Sequence, residues 1–414
     1  MAFNQAVNYL AASNDVVMDD IGFYGLAYDG TSPVSSNTAA ALNNGSNRIR
    51  TYVTAAGNGA DEHYFDAYVD SGVDGTTFSG ISSAGDVHLF QETTNTTDVL
   101  ALGPKPYNLI RLPQNGEVVA FLTWDDPFGA STNNYDLFLV QNSTGAVVAK
   151  STDPQTGTQD PVEAFDYVNT GAADDFHIVI QNVGNQAQPK LLNLYSFQPE
   201  CAVDGPRLLA PGHHERHNYN TAAYSVGAQN DAGGSPVSVI SVGAICSASS
   251  TAAGVFAGSI SPDESCFDTT HSTIEFFSSR GPTIDGRLKP DISAIDGVSI
   301  TGSGGFGTPF FGTSAATPHV AGIAALLLQA APCLMSGASS SVDPDTARAR
   351  LRSLLVGNAV ALDIPAPNNT FGYGRADALA SAQKTLPTFK GPPAVTVLPL
   401  RSHEALPGCP SPCS

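Results

Sequence analysis

A chain of 414 residues with 38 acidic and 18 basic side chains carries a net charge of -20, which sets it against phosphate backbones and anionic lipid surfaces and excludes nucleic acid as a partner. Charged residues make up 14% of the chain against 42% hydrophobic, with 40 Gly and 28 Pro; that composition excludes a disordered or coiled-coil polypeptide and predicts a loop-rich globular fold with room for two domains. No apolar run reaches the roughly 18 residues of a membrane span, and the opening MAFNQAVNYLAAS lacks the charged and apolar regions of a secretory leader, so the start reads as cut mid-domain.

Phe3, Ala6, Val7 and Leu10 recur at helical spacing, and Asn14-Asp15 hands over to the apolar run Val16-Val17-Met18, which predicts a helix followed by a strand. A second short helix is expected over 35–42, and a strand over 49–54 that ends in Ala55-Ala56-Gly57-Asn58. Together these form a β-α-β unit, a builder of parallel sheets whose functional residues collect at the carboxyl ends of the strands, where Asp20 and Asn58 both fall. From about 80 to 200 the pattern changes to short runs at 118–124, 135–140, 176–180 and 191–197, separated by turn signals such as Asn115-Gly116. Strands without helices between them predict an antiparallel β-sandwich inserted into the α/β domain. Beyond about 218 come a buried strand over 237–244 and a helix over 314–329. Next is a helix capped by Asp343 with Pro344 at its first position and Gly357 past its end, and then a last helix over 375–383. The Pro-rich end from about 386 reads as a linker. The predicted domains are therefore 1–75 and 206–386 for the α/β fold, 76–205 for the insert and 387–414 for the tail.

Cys201, Cys246, Cys266, Cys333, Cys409 and Cys413 fall in no metal-ligand spacing. Cys246 and Cys266 are close enough to staple one loop, and free buried thiols are equally allowed.

The chemistry concentrates in Phe311-Gly312-Thr313-Ser314-Ala315-Ala316-Thr317-Pro318-His319-Val320-Ala321-Gly322, a serine at the mouth of a helix. Gly312 permits a tight turn, the helix start brings free N–H groups and positive dipole to Ser314, and the Ala and Gly that follow suit a helix crossing a crowded core. This string resembles the serine motif of the subtilases. The resemblance implies Ser314 as nucleophile. Thr54-Ala55-Ala56-Gly57-Asn58 is similar to the subtilase segment that supplies the oxyanion-hole asparagine and, through Ala56 and Gly57, one wall of the specificity pocket; a strand-end amide can donate to the developing oxyanion, worth roughly 3 kcal/mol of barrier. Asp15 to Phe23 resembles the strand that pairs with substrate backbone, so Asp20, Ile21 and Gly22 are its candidate substrate-binding residues. Familiar subtilisins carry Ser-Leu-Gly where this chain has Asp20-Ile21-Gly22, which makes it look like a branch with sedolisin-like features; the resemblance implies either Asp and His or Glu and Asp as the proton-handling partners. Further likeness lies in Phe276-Phe277-Ser278-Ser279-Arg280-Gly281-Pro282, in Lys289-Pro290-Asp291-Ile292 and in Gly372-Tyr373-Gly374-Arg375-Ala376-Asp377-Ala378.

The resemblance implies an α/β fold, a subtilisin-like three-layer parallel sheet with its N-terminal strands missing and an antiparallel β-sandwich inserted. It implies a secreted serine endopeptidase acting on polypeptides, with no cofactor required. Calcium is compatible with such a protease but has no assignable ligands here. A serine hydroxyl needs a base and an orienting group; no His precedes Asn58, His319 belongs to the serine helix as a structural residue, and His213, His214 and His217 read as surface loop. The base is therefore expected upstream, on a hundred or so further residues whose strands would cover the otherwise bare edge at 16–18. On that expectation residues 1–414 alone are inactive; the rival reading is a catalytically dead subtilase-like scaffold that binds protein or glycan.

Overall fold

The computed structural model describes residues 1–91, 103–198, 219–246, 270–301, 310–338 and 342–385. The first helix, α1 (Ala2–Ser13), buries Val7 and Ala11 and leads into β1 (Val16–Asp19). Helix α2 (Pro33–Asn43) starts two residues ahead of its predicted position because Ser32 caps it, accepting from the Ser35 N–H at 3.1 Å, with Pro33 at the first helical position. Strand β2 (Thr51–Ala55) starts two residues late. The reason is a pair of remote partners: Ile49 and Arg50 give their N–H groups to the Ala11 and Asp15 carbonyls at 3.0 and 2.7 Å, tying the end of α1 down instead of joining the ladder.

β1 and β2 pair in parallel, Val16 against Thr51, and the sheet continues through β13 (Ile240–Ile245) to β14 (Ile292–Ile295) in the order β1-β2-β13-β14, every pairing parallel. β1 is its outer strand among the described residues. Predicted strand residues 237–239 lie outside the ladder, since Val237 and Val239 give their N–H groups to Asn43 Oδ1 and the Ala232 carbonyl, both at 3.1 Å. One face of the sheet meets α1 and α2 through Val17, Tyr52, Leu42 and Val239. The other buries Val53, Val242 and Ile292 under Ala316, Val320, Ala324 and Leu327 of α3 (Thr313–Ala330). The small side chains Ala316 and Ala324 let α3 lie close on the sheet, but Gly322 sits on the exposed side with nothing near its missing Cβ, so crowding does not explain that glycine.

Helix α4 (Pro344–Val356) has the expected Asp343 cap, which accepts from Thr346 N–H at 3.0 Å, and Gly357 beyond its end. Helix α5 (Ala378–Gln383) begins three residues later than predicted, because Arg375 exchanges two 2.8 Å backbone hydrogen bonds with Val360 and Asp377 is the cap. Lys289 and Asp291 are buried as an ion pair at 2.6 Å, with Asp291 also accepting from the Ser241 N–H at 2.8 Å and from Arg352. That segment of the chain thus clamps β14 to β13.

Antiparallel pairing opens with β3 (His63–Ala67) and β4 (Asp70–Asp74). With β5 (Asp86–His88), β6 (Asn108–Leu112), β7 (Glu117–Trp124), β8 (Tyr135–Gln141), β9 (Val147–Ser151), β10 (Val162–Val168), β11 (Asp174–Asn182) and β12 (Leu191–Phe197) they make two sheets. One is ordered β10-β7-β12-β3; the other is β4-β5-β11-β8-β9, with β6 also on β11. Alternation decides what each face buries. Val118, Ala120 and Leu122 of β7 and Leu192 and Leu194 of β12 share a core with Leu137, Leu139, Ile178 and Ile180 of the other sheet. The odd positions Phe121, Tyr195 and Phe197 point the other way, and Tyr195 and Phe197 join Tyr24, Tyr28 and Ala228 in a separate cluster at the α/β part of the chain. Among the described residues no helix is long and apolar enough to cross a membrane. Cys246 and Cys333 are both disulfide-bonded and so are not free thiols; Cys266, the histidine cluster and the tail lie outside the described residues.

Candidate active site

The carboxyl ends of β1, β2 and β14 and the first turn of α3 meet at one place, as a parallel sheet requires of its functional loops. Gly312 caps α3 with φ 120, a backbone state that favours glycine, and a Cβ there would lie 3.2 Å from Asn58 Nδ2 and 3.7 Å from Ser314 N. Those two donors therefore converge on the same small space. Ser314 is the second residue of the helix. The Thr313 N–H is taken by Asn58 and those of Ala315 and Ala316 by the Gly312 carbonyl, whereas the Ser314 N–H has no partner among the described residues.

Asn58 is held in one orientation. Its Oδ1 accepts from Thr313 N at 2.9 Å and from Thr313 Oγ1 at 2.8 Å. A backbone N–H can only donate, so the amide oxygen must face Thr313 and the NH2 group is turned away from it, free to donate. The residues on either side are braced too: Ser279 gives its N–H to the Gly57 carbonyl at 2.9 Å and its Oγ accepts from Gly59 N at 3.1 Å. The Phe-Phe-Ser-Ser segment is thus a support for Asn58.

A cavity of about 230 Å³ opens here, lined by Asp20, Gly22, Tyr24, Ala55, Ala56, Gly57, Asn58, Glu62, Phe197, Gly227, Asn230, Thr313 and Ser314. Six of the seven residues singled out from sequence line it. Ile21 does not; its side chain is 49% exposed and its N–H bonds Asp19 Oδ1 at 3.2 Å. Sequence reading did not single out Tyr24, Ala55, Glu62, Phe197, Gly227, Asn230 or Thr313 as site residues. Ala55 and Thr313 were signalled locally, by adjoining Ala56 and Ser314; Glu62, Phe197, Gly227 and Asn230 arrive from remote parts of the chain. Among the described residues none that lines the cavity is a histidine, and His319 bonds its own helix at the Ala315 carbonyl, 2.9 Å away. Among the described residues no three His, Cys, Asp or Glu side chains gather closely enough to hold a metal ion.

Two buried carboxyl groups support the floor of the site. Asp19, at the end of β1, accepts from Tyr52 Oη at 2.6 Å, Thr54 Oγ1 at 2.9 Å and Gln229 Nε2 at 3.2 Å, and burial still pushes its pKa up. Asp296, just past β14, accepts from the Gly312 N–H at 2.9 Å and hydrogen-bonds Glu275. Burial pushes it up to about 7 from 3.8, so the native state holds a proton that the unfolded chain has already lost. Its contribution to stability is present at acid pH and is lost as pH rises from about 4 to about 7. Glu163 and Asp136, raised by burial to about 7 and about 6, act in the same direction. Asp296→Asn keeps an acceptor for Gly312 but cannot ionise. Its unfolding midpoint is expected to fall a few degrees less between pH 4 and 7 than that of the parent protein; identical slopes in a thermal-unfolding series would remove Asp296 from the account.

The model of the subtilase family matches residues 129–374, a span that takes in Ser314 but not Asn58. Pyrolysin of Pyrococcus furiosus is 50% identical over 66 residues, which is 15% of this chain and 5% of pyrolysin. The serine protease AprX of Bacillus subtilis is 42% identical over 88 residues, 17% of this chain and 20% of AprX. The chain thus spans a fifth or less of these relatives. The solved CspB protease of Clostridium perfringens aligns over 88% of this chain and 65% of its own, with 16% identity and a TM-score of 0.49.

Proposed function

The chain belongs to the subtilase family, and from that premise we propose that it is a serine endopeptidase in which Ser314 attacks the carbonyl of a polypeptide bond. The resulting oxyanion is held by Asn58 Nδ2–H and the Ser314 N–H. The observation that carries this is the common placement of those two donors beside Gly312, with Asn58 locked by Thr313. Asp20, Ile21 and Gly22 offer backbone to an extended substrate, and Ala56 and Gly57 form a wall of its side-chain pocket.

The described residues bring the carboxyl groups of Asp20 and Glu62 to the cavity but no histidine, which supports a base for the Ser314 proton that lies outside them. We assign it to further polypeptide, whose strands also pair with the outer edge of β1; residues 1–414 by themselves then hydrolyse peptides slowly or not at all. A cavity without a histidine among its described residues equally suits the rival scaffold reading, which the same experiment separates. The two antiparallel sheets are read as a sandwich inserted between β2 and β13. Disulfide bonding at Cys246 and Cys333 supports an oxidising, extracellular setting, and the charge of -20 speaks against nucleic acid.

The test is hydrolysis of unfolded casein by the protein purified from its native host. Cleavage that stops on treatment with phenylmethanesulfonyl fluoride is expected. A folded protein that binds casein without cutting it would support the scaffold.

A further inference from the structure

One aromatic ring fills the space between three glycines. A Cβ on Gly22 would lie 2.7 Å from Tyr24 Cε2, one on Gly227 3.3 Å from Tyr24 Cε1, and one on Gly57 3.3 Å from the Tyr24 hydroxyl. Gly57 and Gly227 are remote from Tyr24 in sequence, yet all four residues line the cavity that holds Ser314 and Asn58. Glycine walls let a second chain approach closely and leave a slot for one of its side chains. Here the slot is already taken. The ring is also clamped from behind: its centroid lies 4.5 Å from that of Phe197, 4.7 Å from Tyr195 and 6.0 Å from Phe121. Those three residues stand on one face of β7 and β12, so the antiparallel sheet holds the tyrosine in place. Burial pushes the phenol pKa well up, so the hydroxyl stays neutral.

We propose that Tyr24 sets the specificity of the cleft, admitting small side chains such as alanine or serine on the residue whose carbonyl meets Ser314 and excluding aromatic ones. The proposal rests on the cleft being a peptide site. Asp20 and Glu62 also line the cavity and would instead favour a basic side chain if the pocket extended to them, which makes lysine the informative competitor.

The experiment measures binding, so it does not depend on turnover. Ser314→Ala protein from the native host is titrated with N-acetylated tetrapeptides ending in alanine, phenylalanine or lysine. The alanine peptide is expected to bind tightest, by about tenfold over phenylalanine. Adding Tyr24→Ala should reverse that order by a similar factor, while Tyr24→Phe, which keeps the ring, should leave it unchanged. Tighter binding of the phenylalanine or lysine peptide to the Ser314→Ala protein overturns the proposal whether or not Tyr24→Ala folds. An unaltered ranking in a folded Tyr24→Ala protein does so as well. Binding of none of the three to any form overturns the peptide-cleft reading beneath it, and the proposal with it.

Discussion

Ser314→Ala is expected to lower kcat/KM for a quenched peptide substrate by about 10⁴-fold or more in the protein from its native host, with the unfolding midpoint almost unchanged. The substitution removes the atom that forms the acyl bond. It leaves the rest of the site alone, since Gly312 caps α3, Thr313 rather than Ser314 locks Asn58, and Ala315 and Ala316 bond the Gly312 carbonyl. Residual activity would come from the oxyanion donors and substrate binding alone. Hydrolysis at the parental rate would remove Ser314 from the chemistry.

Asn58→Ala should reduce kcat by about 10²- to 10³-fold with KM within about twofold, the signature of a donor that acts only as charge develops. Alanine also strips two hydrogen bonds from Thr313, so some loss of stability, about 1–2 kcal/mol, is expected alongside. Asn58→Asp separates the two effects. A carboxylate still accepts from Thr313 N and Oγ1 but has no N–H to offer, and its charge repels the oxyanion. An equal or larger fall in kcat without the stability loss is the expected result of steady-state kinetics and thermal unfolding. A kcat unaffected in Asn58→Asp would mean that the amide is structural.

Much of this was legible where the signal is local. The cap and stop at Asp343 and Gly357, the run 191–197 and the β-α-β unit need only neighbouring residues, and the structure has them in place. The serine string likewise announces a helix mouth within a dozen residues. Errors fell at boundaries where a remote partner took the backbone: Asn43 holds Val237, and Val360 holds Arg375. The lock on Asn58 comes from Thr313, 255 residues away, so its orientation had no local mark. Tyr24 is the extreme case. It reads as an ordinary loop aromatic, and only the meeting of Gly22, Gly57 and Gly227 around it, with β7 and β12 behind, gives it a role.

The central claim is that the hydroxyl at the mouth of α3 is the nucleophile. Mapping a fluorophosphonate adduct by peptide mass spectrometry, on protein purified from its native host, tests it directly. The adduct is expected on Ser314 and should be absent from Ser314→Ala. Modification of a different residue, or no adduct from a protein that still cleaves peptides, would contradict it.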